Sequence, residues 1–545
     1  MFSKIVDLFH KDTKNVHHAA LLLGAFSLLS QLIGLLRDHM LAGILGPSSS
    51  LDVYYAAFKL PDFLYASFAS LFSMTVLIPF ITRILAKDAT EKGEKLTTFL
   101  DSILSIYLIG MSILCTVCFI AMPYLAHFLV PGFTLADKVL FVEVSRVLLL
   151  SPFFLGLSNL LGTFSQIEKK FFAFALSPVL YNIGILAGII FFLPHFGIIG
   201  IVYGVVIGAI LHFLTHYVPL KRMGIRTGIT HHIDMPLVKE VIRLSIPRTI
   251  GLSLNSVSFL IISAFASVLS VGTLSLFQLS YNIQTTPLMI IGISYAVASF
   301  PALSELYTEK NLSGFSGLIH RTIAMIVFIS IPLCALSILF REYAVRILLG
   351  SGHFGPHYIT IAAWCLAIFS ISFAVQSMIL VLVRGFYAMG ETKIPLKINF
   401  FALFLTPIFI GIFLYVFPIV KGQEVFALVG AYSLVQIINA ILLWVALHKK
   451  IQSEQQDGII ADSNILQTVW QSVLGCVIVF GMASVVLIRL HSYLITLHLL
   501  PLLIYCAVLS ICFSILYIAF LVSIKNETAI QTIGILQNKL KINIY

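Results

Sequence analysis

The side chains best suited to chemistry cluster near the start of the chain. Gln31, Arg37 and Asp38 fall in one apolar stretch, and Asp52, Lys59 and Asp62 follow within 25 residues. Ionisable groups in apolar surroundings are costly, so they usually face a polar cavity and mark a ligand or ion pathway. A guanidinium or ammonium beside carboxylates can hold an anionic group through charge-assisted hydrogen bonds. Lys59 and Asp62 are three residues apart, so one helical face can present both and each partly neutralises the other. Between them stands Pro61, which removes a backbone hydrogen bond and predicts a kink or break. A kinked helix beside a charged pair suits a gate or a ligand pocket. The competing reading is an interfacial pair snorkelling to the membrane surface.

Other polar groups carry less chemistry. Glu143 and Arg146 repeat the three-residue spacing and read as a structural salt bridge at a membrane edge. Arg248 follows Pro247 and suits snorkelling to the surface. Asn255, Gln278, Asn282 and Gln284 read as interhelical hydrogen-bond partners, with cavity lining as the alternative. His17-His18 and His231-His232 are adjacent pairs, and helical neighbours point about 100° apart, so neither forms a chelate by itself. Cys115 and Cys118 have CxxC spacing but no second pair, and all seven cysteines sit in apolar runs, where they read as small hydrophobes. There is no phosphate-cradling GxxxxGK[ST] and no coherent nucleophile–base set. Catalysis, ATP hydrolysis, a metal and a bound cofactor are therefore not expected.

The elements positioning these residues follow from composition. Of 545 residues, 59% are hydrophobic and 10% charged, and the mean hydropathy is +1.04. A soluble surface needs about 25% charged residues. That excludes a soluble enzyme, a disordered chain and a nucleic-acid-binding domain, and points to an all-α polytopic membrane protein. At about 20 residues per crossing, the apolar content fills about 14 to 16 crossings and leaves no mass for a large soluble domain.

Fourteen apolar segments are predicted, at about 18–36, 53–82, 99–123, 139–163, 171–193, 196–219, 244–268, 272–300, 318–340, 358–389, 394–417, 425–447, 465–488 and 494–524. The first lacks a small-residue cleavage site and reads as a retained span. Turn signals separate segments at Gly46-Pro47-Ser48-Ser49-Ser50, Pro131-Gly132, Pro194, Gly350-Ser351-Gly352, Pro418 and Gly422. With the N-terminus in the cytoplasm, 24 of the 33 Lys and Arg fall on the cytoplasmic side and six on the other. This asymmetry predicts an even number of crossings with both termini inside, and it accounts for the net charge of +10. The longest polar link, 220–243, divides an N-lobe of six helices (1–219) from a C-lobe core of six (244–450). Helices 13 and 14 and a cytoplasmic tail occupy 451–545. Two repeated halves around a midplane site are a common transporter plan.

Three ordered stretches carry a family likeness. The first is Ser30-Gln31-Leu32-Ile33-Gly34-Leu35-Leu36-Arg37-Asp38, with Asp52 and then Ala57-Phe58-Lys59-Leu60-Pro61-Asp62. The second is Ser299-Phe300-Pro301-Ala302-Leu303-Ser304-Glu305. The third is Val383-Arg384-Gly385-Phe386-Tyr387-Ala388-Met389-Gly390-Glu391-Thr392-Lys393-Ile394-Pro395. In order and spacing, over about residues 20–400, the chain resembles the MurJ (MviN) lipid II flippases of the multidrug/oligosaccharidyl-lipid/polysaccharide exporter superfamily. The resemblance implies two lobes around a central cationic cavity in the bacterial cytoplasmic membrane. It implies alternating access that moves lipid II, an undecaprenyl-diphosphate-linked glycopeptide, to the outer leaflet. Arg37, Lys59, Gln31 and Asn282 would then contact the headgroup, while Asp38, Asp52, Pro61, Asp62, Arg384 and Glu391 would shape the cavity or gate. Membrane lipids, and a Na⁺ or H⁺ gradient or the membrane potential, would complete the partners. The chain departs from the family pattern at Gln31, Tyr65 and Asn282, where many members have Arg, and at Asp62, where most have Asn. It also departs near Ser70-Leu71, where most have an acidic-glycine pair. These departures keep two other cargoes in view: another undecaprenyl-diphosphate-linked oligosaccharide, or a small molecule exchanged for an ion. A scaffold that transports nothing is a third alternative.

Overall fold

A computed structural model describes residues 16–72, 77, 80–81, 92–167, 171–222, 228–230, 233–416, 420–454, 465–494, 496–526, 528–532 and 534. These fold into two compact units, Met1–Ser275 and Leu276–Tyr545. Among the described residues, 13 helices are long and apolar enough to cross a membrane. The chain is a multi-pass membrane protein of all-helical class.

In the first unit the helices are α1 (Val16–Leu45), α2 (Ser49–Ser67), α3 (Lys92–Leu129), α4 (Leu135–Leu148), α5 (Leu150–Ile167), α6 (Phe171–Ala187), α7 (Ile198–Arg222) and α8 (Met235–Ser267). Next comes α9 (Thr273–Leu288), which starts in this unit and continues into the second. The remaining helices are α10 (Ser294–Thr308), α11 (Leu312–Leu339), α12 (Arg341–Leu349), α13 (Pro356–Ala388), α14 (Lys393–Val416), α15 (Val425–Glu454), α16 (Ile465–Leu494) and α17 (Leu499–Ser523).

Thirteen of the fourteen expected segments coincide with these 13 spans. The other, 53–82, begins as α2, and most of its residues after Phe72 lie outside the described residues. Asp52, Lys59 and Asp62 give α2 three charges in 19 residues, which sets it apart from the apolar spans.

The turn signals act through specific caps. Gly46 leaves α1 with φ +60, and Ser48 then caps α2 by accepting a hydrogen bond from Leu51 N. Pro61 does not break its helix, since α2 continues to Ser67. Pro194 is likewise absorbed, in a helical turn that follows a π turn at Gly188–Phe192. The chain reverses three residues later, at Gly197 with φ +60. The short helix α12 was hidden between two apolar runs, because Arg341, Glu342 and Arg346 interrupt its apolar pattern.

Packing of α6 on α7 depends on glycines four residues apart. Gly184 and Gly188 face Gly200, Gly204 and Gly208, and a Cβ at Gly204 would lie 2.5 Å from Gly188 Cα and 2.6 Å from Gly184 O. Backbone cannot yield as a flexible side chain can, so this is a small-residue seam of the kind that holds membrane helices at close range. Gly204→Val is expected to destabilise the protein by about 2 kcal/mol through overpacking. Thermal unfolding in detergent measures it, and an unchanged midpoint would refute the seam. In the second unit, Leu303, Phe315, Ile319, Ile323, Leu382, Phe386, Leu443 and Leu447 build a core shared by α10, α11, α13 and α15.

Candidate functional site

Arg37 lies on α1 with its guanidinium partly open and its counter-ion buried. Nε donates to Asp38 Oδ1 at 2.9 Å, and Nη2 lies 2.9 Å from the same oxygen. The Asp38 side chain is 3% exposed, against 22% for Arg37. Nη1 donates to Asn182 Oδ1 on α6 at 3.3 Å, and Asn182 Nδ2 donates to Ser30 Oγ at 3.1 Å. The Asn182 amide thus ties Arg37 to Ser30, about two turns earlier on α1, and aims the guanidinium. Tyr54 and Tyr55, both buried on α2, stack edge to face with ring centroids 5.3 Å apart. A guanidinium anchored on one edge by Asp38 and Asn182 keeps positive charge available for a phosphate.

The other sequence candidates separate by unit and by role. Lys59 is buried, with its ammonium 5.3 Å from the centroid of the Phe259 ring on α8, a cation–π arrangement. Asp62, one turn further along α2, is exposed, and Pro61 is buried between them. Gln31 is half-buried on α1, and six residues of helix turn it well away from the Arg37 face. Asp52 is buried and makes no ion pair among the described residues. Its two oxygens accept from Gly272 N and Ser275 N, each at 2.7 Å, which caps the first turn of α9.

In the second unit, Asn282 Oδ1 accepts from Gln278 Nε2 at 2.8 Å within α9. Gln284 pairs with Gln376 of α13 at 3.4 Å, the interhelical amide contact expected of this group. Asn255 is exposed and shows no side-chain hydrogen bond among the described residues. Arg384 is half-buried near the C-terminal end of α13. Glu391 Oε1 accepts from Lys393 N at 2.8 Å, at the start of α14.

Where the family likeness leads one to expect charge, neutral hydrogen bonds stand instead. The Tyr65 hydroxyl bonds Asn159 of α5. Ser70 Oγ donates to Thr249 Oγ1 at 3.1 Å. Arg146 does not pair with Glu143: its Nε donates to Phe119 O at 3.0 Å and its guanidinium lies 4.6 Å from the Phe119 ring centroid. An exposed carboxylate one turn away offers less than a carbonyl and a ring already packed beside the guanidinium. His231 and His232 lie outside the described residues, as do the side chains of His17, His18 and Arg248.

Sequence reasoning missed Asn182. Its signal was present: a lone amide in the apolar run 171–193, four residues after Pro178.

Comparison with known proteins gives one consistent result. The family model described as lipid II flippase MurJ matches residues 41–505. A lipid II flippase MurJ of Burkholderia cenocepacia is 24% identical over 445 residues, covering 80% of this chain and 84% of that one. A probable lipid II flippase MurJ of Vibrio cholerae is 26% identical over 449 residues, covering 80% and 83%. A solved structure of a lipid II flippase MurJ in an inward closed conformation superposes with a TM-score of 0.72 at 19% identity, covering 92% of this chain and all of the other. An inward-facing multidrug-resistance transporter of the MATE family superposes with a TM-score of 0.67 at 17% identity, covering 79% and 96%.

Proposed function

Because the chain belongs to the MurJ family of lipid II flippases, we propose that it carries lipid II from the inner to the outer leaflet of the bacterial cytoplasmic membrane by alternating access. The observation that carries this reading is the family match across residues 41–505, which spans both units. The MATE likeness, at 17% identity, is one of fold and does not favour small-molecule antiport.

The chemistry of the cargo fits the first-unit site. A diphosphate-sugar headgroup cannot cross about 30 Å of hydrocarbon unaided. Arg37 receives a phosphate oxygen on the guanidinium edge not taken by Asp38, and Lys59 supplies a second positive charge. The polyprenyl tail stays in lipid. The helices before and after 220–243 act as the moving lobes, and Asp62, Pro61, Arg384 and Glu391 belong to the surfaces that open and close. Both termini face the cytoplasm. Moving an anionic headgroup outward follows the membrane potential and gains about 2.3 kcal/mol per charge per 100 mV, which makes the potential the leading driver. A Na⁺ or H⁺ gradient is the alternative coupling.

The test is replacement of a host's own lipid II flippase. On depletion of that protein, expression of this chain is expected to restore growth and to return lipid II to the outer leaflet, read by labelling from outside the cell. A well-expressed protein that leaves lipid II inside would overturn the assignment.

A further inference from the structure

A second polar site lies in the second unit, far along the chain from Arg37. At the C-terminal ends of α11 and α16 a cavity of about 390 Å³ is lined by Arg341, Glu342 and Tyr343 of α12 and by Phe480, Ser484 and His491 of α16. Leu487 and Ile488 continue the α16 side. These α16 positions recur every three or four residues, so they form one helical face. That face carries His491 at the helix end, then Ile488 and Leu487, then Ser484, whose hydroxyl donates to Phe480 O at 2.7 Å, and Ile488 is 75% exposed.

The polar end is built yet incompletely used. The Arg341 guanidinium stacks 4.4 Å from the Trp364 ring centroid, and its Nη1 donates to Ile338 O at 2.9 Å. Its Nε is buried and has no hydrogen-bond partner among the described residues. A buried donor without an acceptor costs about 1–3 kcal/mol, so a ligand acceptor there is favoured. Tyr343 Oη and His491 Nδ1 are joined at 2.8 Å, which fixes the wall between α12 and α16. Glu342 adds a carboxylate that makes no ion pair among the described residues.

We propose that this cavity binds one bilayer phospholipid whose headgroup carries both a phosphodiester and a primary ammonium. The phosphodiester accepts from Arg341 and the ammonium lies on Glu342. An acyl chain runs along Leu487, Ile488 and Phe480. The charge pair matches a zwitterionic headgroup better than free phosphate, which Glu342 would repel. The charged groups of α12 beside the apolar Phe480, Leu487 and Ile488 of α16 match an amphiphile entering from the bilayer. Loop charge places this end of α11 and α16 at the outer leaflet. The site is separate from the Arg37 site and does not depend on which lipid-linked cargo is carried.

The test uses the purified full chain in detergent, with phosphatidylethanolamine, phosphatidylglycerol or inorganic phosphate added, and counts retained lipid by native mass spectrometry. The wild type is expected to retain one phosphatidylethanolamine in preference to phosphatidylglycerol, with no displacement by phosphate. Arg341→Gln is expected to lower retention roughly tenfold, the loss of one charge-assisted hydrogen bond. Glu342→Gln is expected to abolish the preference for phosphatidylethanolamine while phosphatidylglycerol still binds. Ser484→Phe, which fills the cavity from α16 and leaves Arg341 intact, is expected to block both lipids, whereas Lys421→Gln in another loop leaves retention unchanged. Equal retention by wild type, Arg341→Gln and Ser484→Phe would overturn the proposal, as would displacement of the lipid by inorganic phosphate.

Discussion

Arg37→Ala is expected to lower lipid II translocation about a hundredfold and to lower thermal stability, and the two losses should separate in a double variant. The Asp38 side chain is 3% exposed, and its oxygen Oδ1 faces Nε and Nη2 of Arg37 at 2.9 Å each. Removing the guanidinium takes the adjacent cation from a buried carboxylate, at a cost of about 3–5 kcal/mol. Arg37→Gln combined with Asp38→Asn removes both charges together and is expected to recover most of that stability, because no lone charge stays buried. It is not expected to recover transport. Two charge-assisted bonds to a diphosphate contribute about 3 kcal/mol, so their loss lowers the translocation rate about a hundredfold. Arg37→Lys keeps the charge but loses the two-nitrogen geometry that engages Asp38 and Asn182 at once, so it should fall between wild type and the double variant. The measurements are the unfolding midpoint in detergent and outer-leaflet lipid II after depletion of the host flippase. Wild-type translocation by the double variant would remove Arg37 from headgroup binding.

The sequence showed some parts of this arrangement and not others, for physical reasons. Apolar runs of about 20 residues are imposed by bilayer thickness, so 13 of the expected segments appear as spans. The Arg37–Asp38 pair is adjacent in sequence and needs no fold to form. Asn182 is 145 residues from Arg37, so their bond exists only because α1 packs on α6. Hydropathy records that an element is buried but not which element covers it. The glycines at 184, 188, 200, 204 and 208 carried a readable four-residue spacing, yet in a membrane chain they merge with the surrounding apolar residues. At Pro61 the expected break does not occur, and α2 runs through it. Its missing hydrogen bond is a local fact, whereas the continuity of α2 is decided by packing on both sides of it, with Leu60 and Leu64 both buried. The neutral contacts at Tyr65 and Ser70 show why the likeness to the family could not supply the site. Motif positions are kept, but the groups there satisfy neighbours on α5 and α8 and carry no charge.

Asp52 illustrates the same limit and yields the other large expected effect. In the sequence it is one of three carboxylates near two cations, and nothing local separates it from Asp38 or Asp62. In the fold it is 4% exposed and both oxygens are used, Oδ2 by Gly272 N and Oδ1 by Ser275 N. These are two of the donors that a helix leaves unpaired in its first turn, so a side chain of α2 caps the start of α9. The negative charge also lies at the positive end of the α9 dipole. Ser275 Oγ donates to Gly272 O at 3.0 Å and tightens the same turn. Asp52→Ala leaves two buried N–H groups without acceptors. At about 1–3 kcal/mol each, with the lost charge–dipole term added, the expected destabilisation is about 4 kcal/mol. Asp52→Asn keeps one acceptor but turns an NH₂ toward the other donor, so about half of that loss is expected. Neither variant touches Arg37. If Asp52 instead acted as a counter-ion for a cavity cation, its neutral isostere would impair transport while leaving the unfolding midpoint near wild type. The cap predicts a graded fall in midpoint, from wild type through Asn to Ala, with transport following the folded fraction. Transport lost without loss of stability in Asp52→Asn would decide for the counter-ion.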